Sequence, residues 1–196
     1  RHDILLIFDE VITGFGRLGA PFAAEFFGVQ PDMITMAKGL TNAAVPMGAV
    51  GVRDGIYDTL MGDSAAGIEL FHGYTYSGHP LACAAGLATL DLYRDEGLFE
   101  RAAALASGFE TVVHGLRDAP HVVDIRNLGL MAAVELAPRP GAAGVRAQEA
   151  FHRAFDDGLL IRVTGDTIAF SPSLIADPAH IEEMMATTRK VLETIE

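Results

Sequence analysis

The sequence predicts an α/β protein. Two short apolar runs, residues 4–8 and 33–37, have the length and composition of buried strands. Each run is followed at once by a charged residue, Asp9 after the first and Lys38 after the second. Longer stretches with apolar residues at helical spacing, beginning with residues 80–96, follow along the chain. Strands that are separated by helical or irregular crossovers favour a mostly parallel sheet.

The remaining predicted elements form two groups. In the first, a strand is expected at residues 47–52 and helices at 80–96 and 98–116, separated by Gly97. Beyond these, the sequence predicts shorter elements: strands at 121–125, 128–136, 159–163 and 167–170, and helices at 145–156 and 178–195. Because the character of the chain changes after the long helix, we predict two domains, residues 1–116 and 117–196.

Composition narrows the class of protein. The chain has 196 residues, half of them hydrophobic, and a net charge of −12 from 14 basic and 26 acidic residues. A nucleic-acid surface would need clustered lysine and arginine, which this sequence lacks. No apolar run is long enough to span a membrane, and the single cysteine, Cys83, cannot form an internal disulfide. We expect a cytoplasmic protein that binds neither membranes nor nucleic acid.

The beginning of the chain is unusual. The residues Arg1-His2-Asp3 lead directly into a strand pattern, without an initiator methionine. A parallel strand is normally covered on both faces, and nothing in the sequence ahead of residue 4 could cover this one. We therefore expect the chain to be the later part of a longer protein.

Asp9 and Lys38 are the first candidates for a functional site. Ligands of open α/β sheets bind beyond the carboxyl ends of the strands, where both residues are predicted to lie. An unpaired lysine at this place either extends past the strand end or belongs to a site. A desolvated lysine is a nucleophilic amine that can form a Schiff base, and Gly39 beside it permits a close backbone approach.

Other interpretations of Asp9 remain open at this point. The pair Asp9-Glu10 after an apolar strand is also typical of a Walker B motif, which would make the chain half of a P-loop ATPase. However, the sequence contains no G-x-x-x-x-G-K-[ST] motif. Asp9 could also simply cap the following turn through Thr13 and Gly14.

Four further polar residues require an interpretation. Thr75 is typical of a turn residue with a local hydrogen bond. His72 and His79 have neither a third ligand nor an H-E-x-x-H pattern, so we predict no metal site. Arg162 near a strand end either pairs with Asp166 or binds a carboxylate, which its planar fork of donors matches.

Three ordered segments carry a family resemblance. They read LLIFDEVITGFGR at residues 5–17, PDMITMAKGL at 31–40 and HGYTYSGHP at 72–80. Together they resemble the class III pyridoxal-phosphate-dependent aminotransferases, in particular the ω-amino acid:pyruvate (β-alanine:pyruvate) branch. The resemblance implies a fold-type I transferase, with part of the large domain in residues 1–116 and the small α/β domain in 117–196.

The resemblance assigns roles around a pyridoxal 5′-phosphate cofactor. Asp9 would hydrogen-bond the pyridine nitrogen and keep it protonated, so that the ring can accept electrons. Val11, taken to continue the same extended run, would pack on one ring face. Lys38 would carry the cofactor as a Schiff base and then move the proton during catalysis.

It also assigns roles at the phosphate and the substrate. Tyr74 and Thr75 would bind the cofactor, with the Thr75 hydroxyl reaching the phosphate in the neighbouring subunit. This implies a homo-oligomer, either a dimer or a tetramer. Arg162 would bind the carboxylate of the substrate.

The implied reaction is transamination. An amino group would pass from an ω-amino acid or amine, such as β-alanine, to pyruvate, giving alanine. Related enzymes complete the cofactor site from their N-terminal half, so we expect this chain by itself to be a weakly active or inactive fragment. The alternatives are an aminomutase or decarboxylating enzyme on the same fold, the ATPase half described above, and a remnant that only dimerises.

Overall fold

Two sheets organise the chain, each in a unit of its own. The computed structural model describes residues 2, 4–62, 70 and 75–196. Unit 1 comprises Arg1–Gly16 and Ala20–Gly97, and unit 2 comprises Arg17–Gly19 and Leu98–Glu196. The sequence placed the division near residue 116, after the long helix, whereas packing places it at Gly97. The difference arises because this helix buries its apolar side among the strands and helices of unit 2.

Unit 1 contains a three-stranded sheet in the order β1-β2-β3. Its elements are β1 (Ile7–Asp9), α1 (Ala23–Phe27), β2 (Met33–Met36), a 3-10 turn (Lys38–Leu40), β3 (Ala49–Val52), α2 (Asp54–Gly62) and α3 (Pro80–Asp95). Strands β1 and β2 are parallel, but β2 and β3 are antiparallel. The prediction of a mostly parallel sheet is therefore wrong for the pairing of β3. The chain between β2 and β3 has no α-helix to serve as the crossover that a parallel connection requires.

The first apolar run is neither as regular nor as buried as predicted. The strand begins only at Ile7, although the backbone of Leu6 already pairs with Asp32 and Met33. Ile7 is 54% exposed, and Val50 of β3 is 62% exposed. Among the described residues, no helix of unit 1 packs extensively on these strands, which explains the exposure of their apolar side chains.

Unit 2 is built on a four-stranded antiparallel sheet in the order β4-β5-β7-β6. Its elements are α4 (Leu98–His114), a 3-10 turn (Gly115–Asp118), β4 (Val122–Leu128), β5 (Met131–Leu136), α5 (Val145–Asp156), β6 (Arg162–Thr164), β7 (Thr167–Phe170) and α6 (Pro178–Leu192). The predicted bounds of α5 and β7 are confirmed.

Alternation along the strands builds the core of unit 2. In β5, Ala132, Val134 and Leu136 are buried while the residues between them are partly exposed, and Ile168 and Phe170 of β7 follow the same rule. The helices α4, α5 and α6 cover this sheet and one another. Their fully buried side chains include Phe109, Val113, Ala147, Ala150 and Leu192.

A two-residue turn joins β4 to β5. Gly129 adopts a positive φ of 54°, which glycine tolerates without steric cost. A Cβ atom on Gly129 would lie 2.7 Å from both the carbonyl oxygen of Arg17 and the Cα of Leu18. The Leu130 amide donates to the same Arg17 carbonyl at 3.0 Å. These contacts explain why the short segment Arg17–Gly19 packs with unit 2.

Membrane crossing by a helix finds no support in this fold. In the described parts of the chain, no helix combines the length and apolar character that a bilayer span requires.

The core of unit 2 predicts a sharp contrast between two phenylalanines. Phe109 in α4 is completely buried, whereas Phe155 in α5 is 61% exposed. In the full-length protein, Phe109→Ala should lower the free energy of unfolding by about 3–5 kcal/mol, because it leaves a cavity. Phe155→Ala should change it by less than about 0.5 kcal/mol. Urea unfolding followed by circular dichroism measures both values, and equal losses would contradict the assignment of the core.

Candidate active site

Asp9 and Lys38 lie at the carboxyl ends of neighbouring strands. Asp9 is the last residue of β1, and Lys38 follows the end of β2 by two residues. Because β1 and β2 are parallel, these two ends meet at the same edge of the sheet. The ladder pairs Asp9 with Thr35 and continues one residue further, where the Glu10 amide donates to the Thr35 carbonyl at 2.9 Å.

The Asp9 carboxylate uses its two oxygens differently. Oδ1 accepts a hydrogen bond from the Thr35 hydroxyl at 3.0 Å and another from the Val11 amide at 3.2 Å. Oδ2 accepts no hydrogen bond from the described residues, and the side chain is exposed. One carboxylate oxygen is therefore held in place, and the other remains available to a ligand.

Val11 does not continue strand β1. The strand ends at Asp9, and Val11 begins a series of turns that extends to residue 18. The assumption that Val11 shares a strand face with Asp9 is therefore wrong. Its observed link to Asp9 is the backbone hydrogen bond to Oδ1, which closes a local turn of the Asx kind.

Lys38 occupies an unusual backbone conformation. Its φ is 45°, in the left-handed region that residues other than glycine seldom adopt. Such conformations persist where the surroundings enforce them, and they cluster at functional sites. The Lys38 side chain is exposed, and within the described residues its amine forms neither a hydrogen bond nor an ion pair.

Two aromatic residues hold the turn that carries Lys38. The Tyr93 hydroxyl of α3 donates a hydrogen bond to the Gly39 carbonyl at 2.7 Å. Phe15 lies against the same glycine, where an added Cβ atom would approach the Phe15 Cβ to 2.7 Å. The Phe15 and Tyr93 rings are themselves stacked, with centroids 6.1 Å apart, and both are buried. The close backbone approach predicted at Gly39 is thus confirmed.

Glu10 is occupied by the scaffold. The residue is 1% exposed. Its Oε1 accepts a hydrogen bond from the Ala24 amide at 2.8 Å. Its Oε2 accepts two hydrogen bonds, from the Ala23 amide at 2.9 Å and from the Thr13 hydroxyl at 2.5 Å. Because both oxygens are buried and bonded, Glu10 cannot polarise a water as a Walker B glutamate does.

Glu10 also corrects the capping interpretation of Asp9. The turn at Thr13 and Gly14 is closed by Glu10, whose backbone carbonyl accepts from the Gly14 amide at 3.0 Å. Asp9 is therefore not needed for this turn beyond its bond to Val11.

Asp32 anchors the opposite end of the β1 and β2 pair. Its Oδ2 accepts from the Leu6 amide at 2.8 Å, and its Oδ1 accepts from Arg53 at 2.6 Å. The Leu6 amide first and Arg53 second hold the pKa of Asp32 below its ordinary value. Because these contacts favour the ionised form, the stability that they contribute is fully present above the unfolded-state pKa and is lost as the pH falls through the lowered folded-state pKa.

Thr75 lies before the N-terminus of α3, in a pocket of about 560 Å³. The pocket is lined by residues 75–79, the loop at 45–48, and Ala82. Tyr74 and His72 lie outside the described residues. Among the residues that are described, no group of three or more His, Cys, Asp or Glu side chains is placed to hold a metal ion.

Arg162 belongs to unit 2 and is the first residue of β6. It is exposed, and it lines a pocket of about 700 Å³ with residues of α5, β7 and α6. The alternative interpretation of Arg162, an ion pair with an acid such as Asp166, is not observed: Asp166 instead accepts a hydrogen bond from the Gly144 amide at 2.9 Å. Within the described part of the chain the Arg162 guanidinium has no hydrogen-bond or ionic partner.

Sequence reasoning missed Thr35 and Tyr93. Thr35 is a polar residue inside the otherwise apolar run 33–37, and that signal could have drawn attention to it. Its pairing with Asp9 depends on the strand register. Tyr93 carries no comparable signal, because it lies 54 residues from Gly39 within a helix of ordinary composition.

Comparison with known proteins identifies the family of the chain. A family model for aminotransferase class-III matches residues 1–192. An omega-aminotransferase from Caulobacter vibrioides is 65% identical over the whole chain, and a beta-alanine--pyruvate aminotransferase from Pseudomonas aeruginosa is 48% identical over the whole chain. The crystal structure of an omega transaminase from Pseudomonas jessenii in complex with PMP matches 97% of the chain, with a TM-score of 0.87 and 34% identity.

These matches cover only part of each related protein. The chain corresponds to 45% of the Caulobacter relative, 44% of the Pseudomonas aeruginosa relative and 44% of the Pseudomonas jessenii structure. Within that part the family match is almost complete. The chain belongs to the class III aminotransferases, a family that depends on pyridoxal phosphate.

Proposed function

We propose that the full-length protein is an ω-amino acid:pyruvate aminotransferase. It would transfer an amino group from an ω-amino acid or amine, such as β-alanine, to pyruvate and release alanine. The observation that carries this proposal is the placement of Asp9 and Lys38 at the carboxyl ends of two paired parallel strands. Within the described residues, Asp9 Oδ2 and the Lys38 amine have no hydrogen-bond partner. The names of the two curated relatives support the choice of donor and acceptor.

The free oxygen of Asp9 fits the pyridine nitrogen of pyridoxal phosphate. When bound, this cofactor supplies an electron sink for the substrate. Asp9 Oδ2, which no described residue occupies, would accept a hydrogen bond from the ring nitrogen and hold its proton there. A charge-assisted bond of this kind is about twice as strong as a neutral one.

Lys38 would hold the cofactor covalently through its amine. The exposed Nζ of Lys38 has no competing hydrogen bond or ion pair among the described residues. Once released by the incoming amine, the same nitrogen would act as the general base and acid that moves the substrate proton. Phe15 and Tyr93 support this role because they contact Gly39 and so hold the backbone turn that carries the Lys38 side chain.

Thr75 would serve the phosphate of a neighbouring subunit. Its hydroxyl lies before the N-terminus of the 16-residue helix α3, where backbone amides favour an anion. We propose Tyr74, the residue before Thr75 in the sequence, as a second contact of the cofactor and Val11 as the residue that packs on the ring. A site completed in this way requires a homo-oligomer.

Arg162 would bind the substrate carboxylate. A guanidinium accommodates a carboxylate through two parallel hydrogen bonds, and the described residues leave all the donors of Arg162 available. In a protein with a net charge of −12, an anionic substrate needs such a placed cation.

Covalent trapping on Lys38 tests the central assignment. The chain has two lysines, Lys38 and Lys190, and the second is paired with Asp157 at 2.9 Å. Borohydride reduction of the cofactor-loaded full-length protein should leave a pyridoxyl mass on the Lys38 peptide, which peptide mass spectrometry detects. Lys38→Ala should abolish the label, whereas Lys190→Ala should retain it. An unlabelled Lys38 in folded, cofactor-saturated protein would overturn the proposal.

The role of Arg162 predicts an effect that depends on the substrate. Arg162→Ala should raise the KM for pyruvate about ten- to hundredfold, the value of a lost charged hydrogen bond. The KM for an amine without a carboxylate should change by less than about twofold, since that amine makes no such bond. Steady-state kinetics with both substrates and stoichiometric measurement of alanine give the comparison.

Arg126→Ala provides the matched control for Arg162. Arg126 is an exposed arginine on β4 of the same unit, paired with Asp124 and Glu135. This variant should leave both KM values unchanged. Equal changes for pyruvate and the simple amine in Arg162→Ala would count against carboxylate binding.

A further inference from the structure

We infer that Thr35 is a positioning residue for Asp9: its hydroxyl fixes the rotation of the Asp9 carboxylate so that Oδ2 is the oxygen left for the cofactor. This inference rests on the proposed function, because it concerns how the cofactor-binding carboxylate is oriented. It adds a residue on β2 that acts through Asp9 without itself contacting the cofactor.

The strand register places Thr35 where it can act. In the parallel pair of β1 and β2, Asp9 lies opposite Thr35, so the two side chains project from the same face of the sheet. Their Oγ1 and Oδ1 atoms are 3.0 Å apart, a normal hydrogen-bond distance. The Thr35 hydroxyl therefore makes this bond from within the intact backbone ladder.

The second donor acts on the same oxygen. The Val11 amide also binds Oδ1, at 3.2 Å. A carboxylate on its own can turn about its last torsion, a soft two-fold rotor, and present either oxygen. Because the Thr35 hydroxyl and the Val11 amide both bind Oδ1, they restrain this torsion, and the other oxygen, Oδ2, is left without a donor among the described residues.

Thr35 also connects the two groups of the candidate site. It lies three residues before Lys38 on the strand that leads to the Lys38 turn. The Thr35 carbonyl also accepts a hydrogen bond from the Glu10 amide, so that the backbone of β2 fixes the residue after Asp9. Substitution of the Thr35 side chain leaves this backbone bond intact, which allows the hydroxyl to be tested separately from the strand.

The experiment uses two variants that remove the Thr35 hydroxyl and one that retains a hydroxyl at this position. Thr35→Val keeps the branched shape, Thr35→Ala keeps only the Cβ, and Thr35→Ser keeps the hydroxyl. The control is Thr111→Val, because Thr111 is an exposed residue of α4 whose hydroxyl, among the described residues, binds the Ser107 carbonyl of its own helix. All variants are made in the full-length protein, and pyridoxal phosphate affinity, cofactor absorbance, kcat, KM and thermal midpoint are measured.

The inference predicts a pattern across these variants. Thr35→Val and Thr35→Ala should weaken pyridoxal phosphate binding and lower kcat by about five- to tenfold, the value of one net hydrogen bond. The absorbance spectrum of the bound cofactor should change, while the KM for pyruvate stays within about twofold. Thr35→Ser should recover the parent affinity within about twofold, and Thr111→Val should match the parent throughout.

Three outcomes would overturn the inference, and the first two separate its failure from the failure of the proposed function. If the parent protein is labelled on Lys38 but Thr35→Val and Thr35→Ala bind and convert like the parent, Thr35 does not position Asp9 and the proposed function stands. If the parent protein is not labelled on Lys38, the proposed function and this inference both fail. Equal losses in the alanine and serine variants would likewise contradict a role for the hydroxyl, even if the valine variant does not fold.

Discussion

The parallel pairing of β1 with β2 is the constraint on which the candidate site depends. This pairing sets Asp9 opposite Thr35 and carries the chain of β2 onward to Lys38. A change of register by one residue would turn Asp9 to the other face and separate it from the Thr35 hydroxyl. The side chain of Asp32, bonded to the Leu6 amide, ties the start of β2 to the chain before β1 and so helps to hold that register.

Around this pair of strands, residues with satisfied hydrogen bonds lie next to the two exposed candidate site residues, Asp9 and Lys38. Glu10 is buried and binds three donors, whereas Oδ2 of the neighbouring Asp9 accepts no hydrogen bond from the described residues. In the same way the Gly39 carbonyl is bound by Tyr93, whereas the neighbouring Lys38 amine has no partner among the described residues. In each pair of adjacent residues, one therefore holds the backbone in place and the other is available to a ligand. A group that is already bonded within the protein cannot serve both purposes.

Much of unit 2 could be predicted from the sequence because its signals are local. Strand β7 shows simple alternation, and α5 shows apolar residues at helical spacing, so both were predicted with the bounds that are observed. Unit 1 was harder. The direction of β3 depends on how the chain crosses from β2, the burial of β1 depends on what packs against it, and Val11 leaves the strand because of a turn bond to Asp9. The periodicity of apolar residues along the sequence carries no information on any of these three features.

By itself the sequence determined the family, because three ordered motifs carry its residue types at its spacing. It identified Asp9 and Lys38 from their place after apolar runs. Only the tertiary structure decided that Thr35 binds Asp9, that Tyr93 and Phe15 hold the Lys38 turn, and that Glu10 belongs to the scaffold. The reason is that each of these contacts joins residues that are distant in sequence, through a register or a packing arrangement that exists only once the chain has folded.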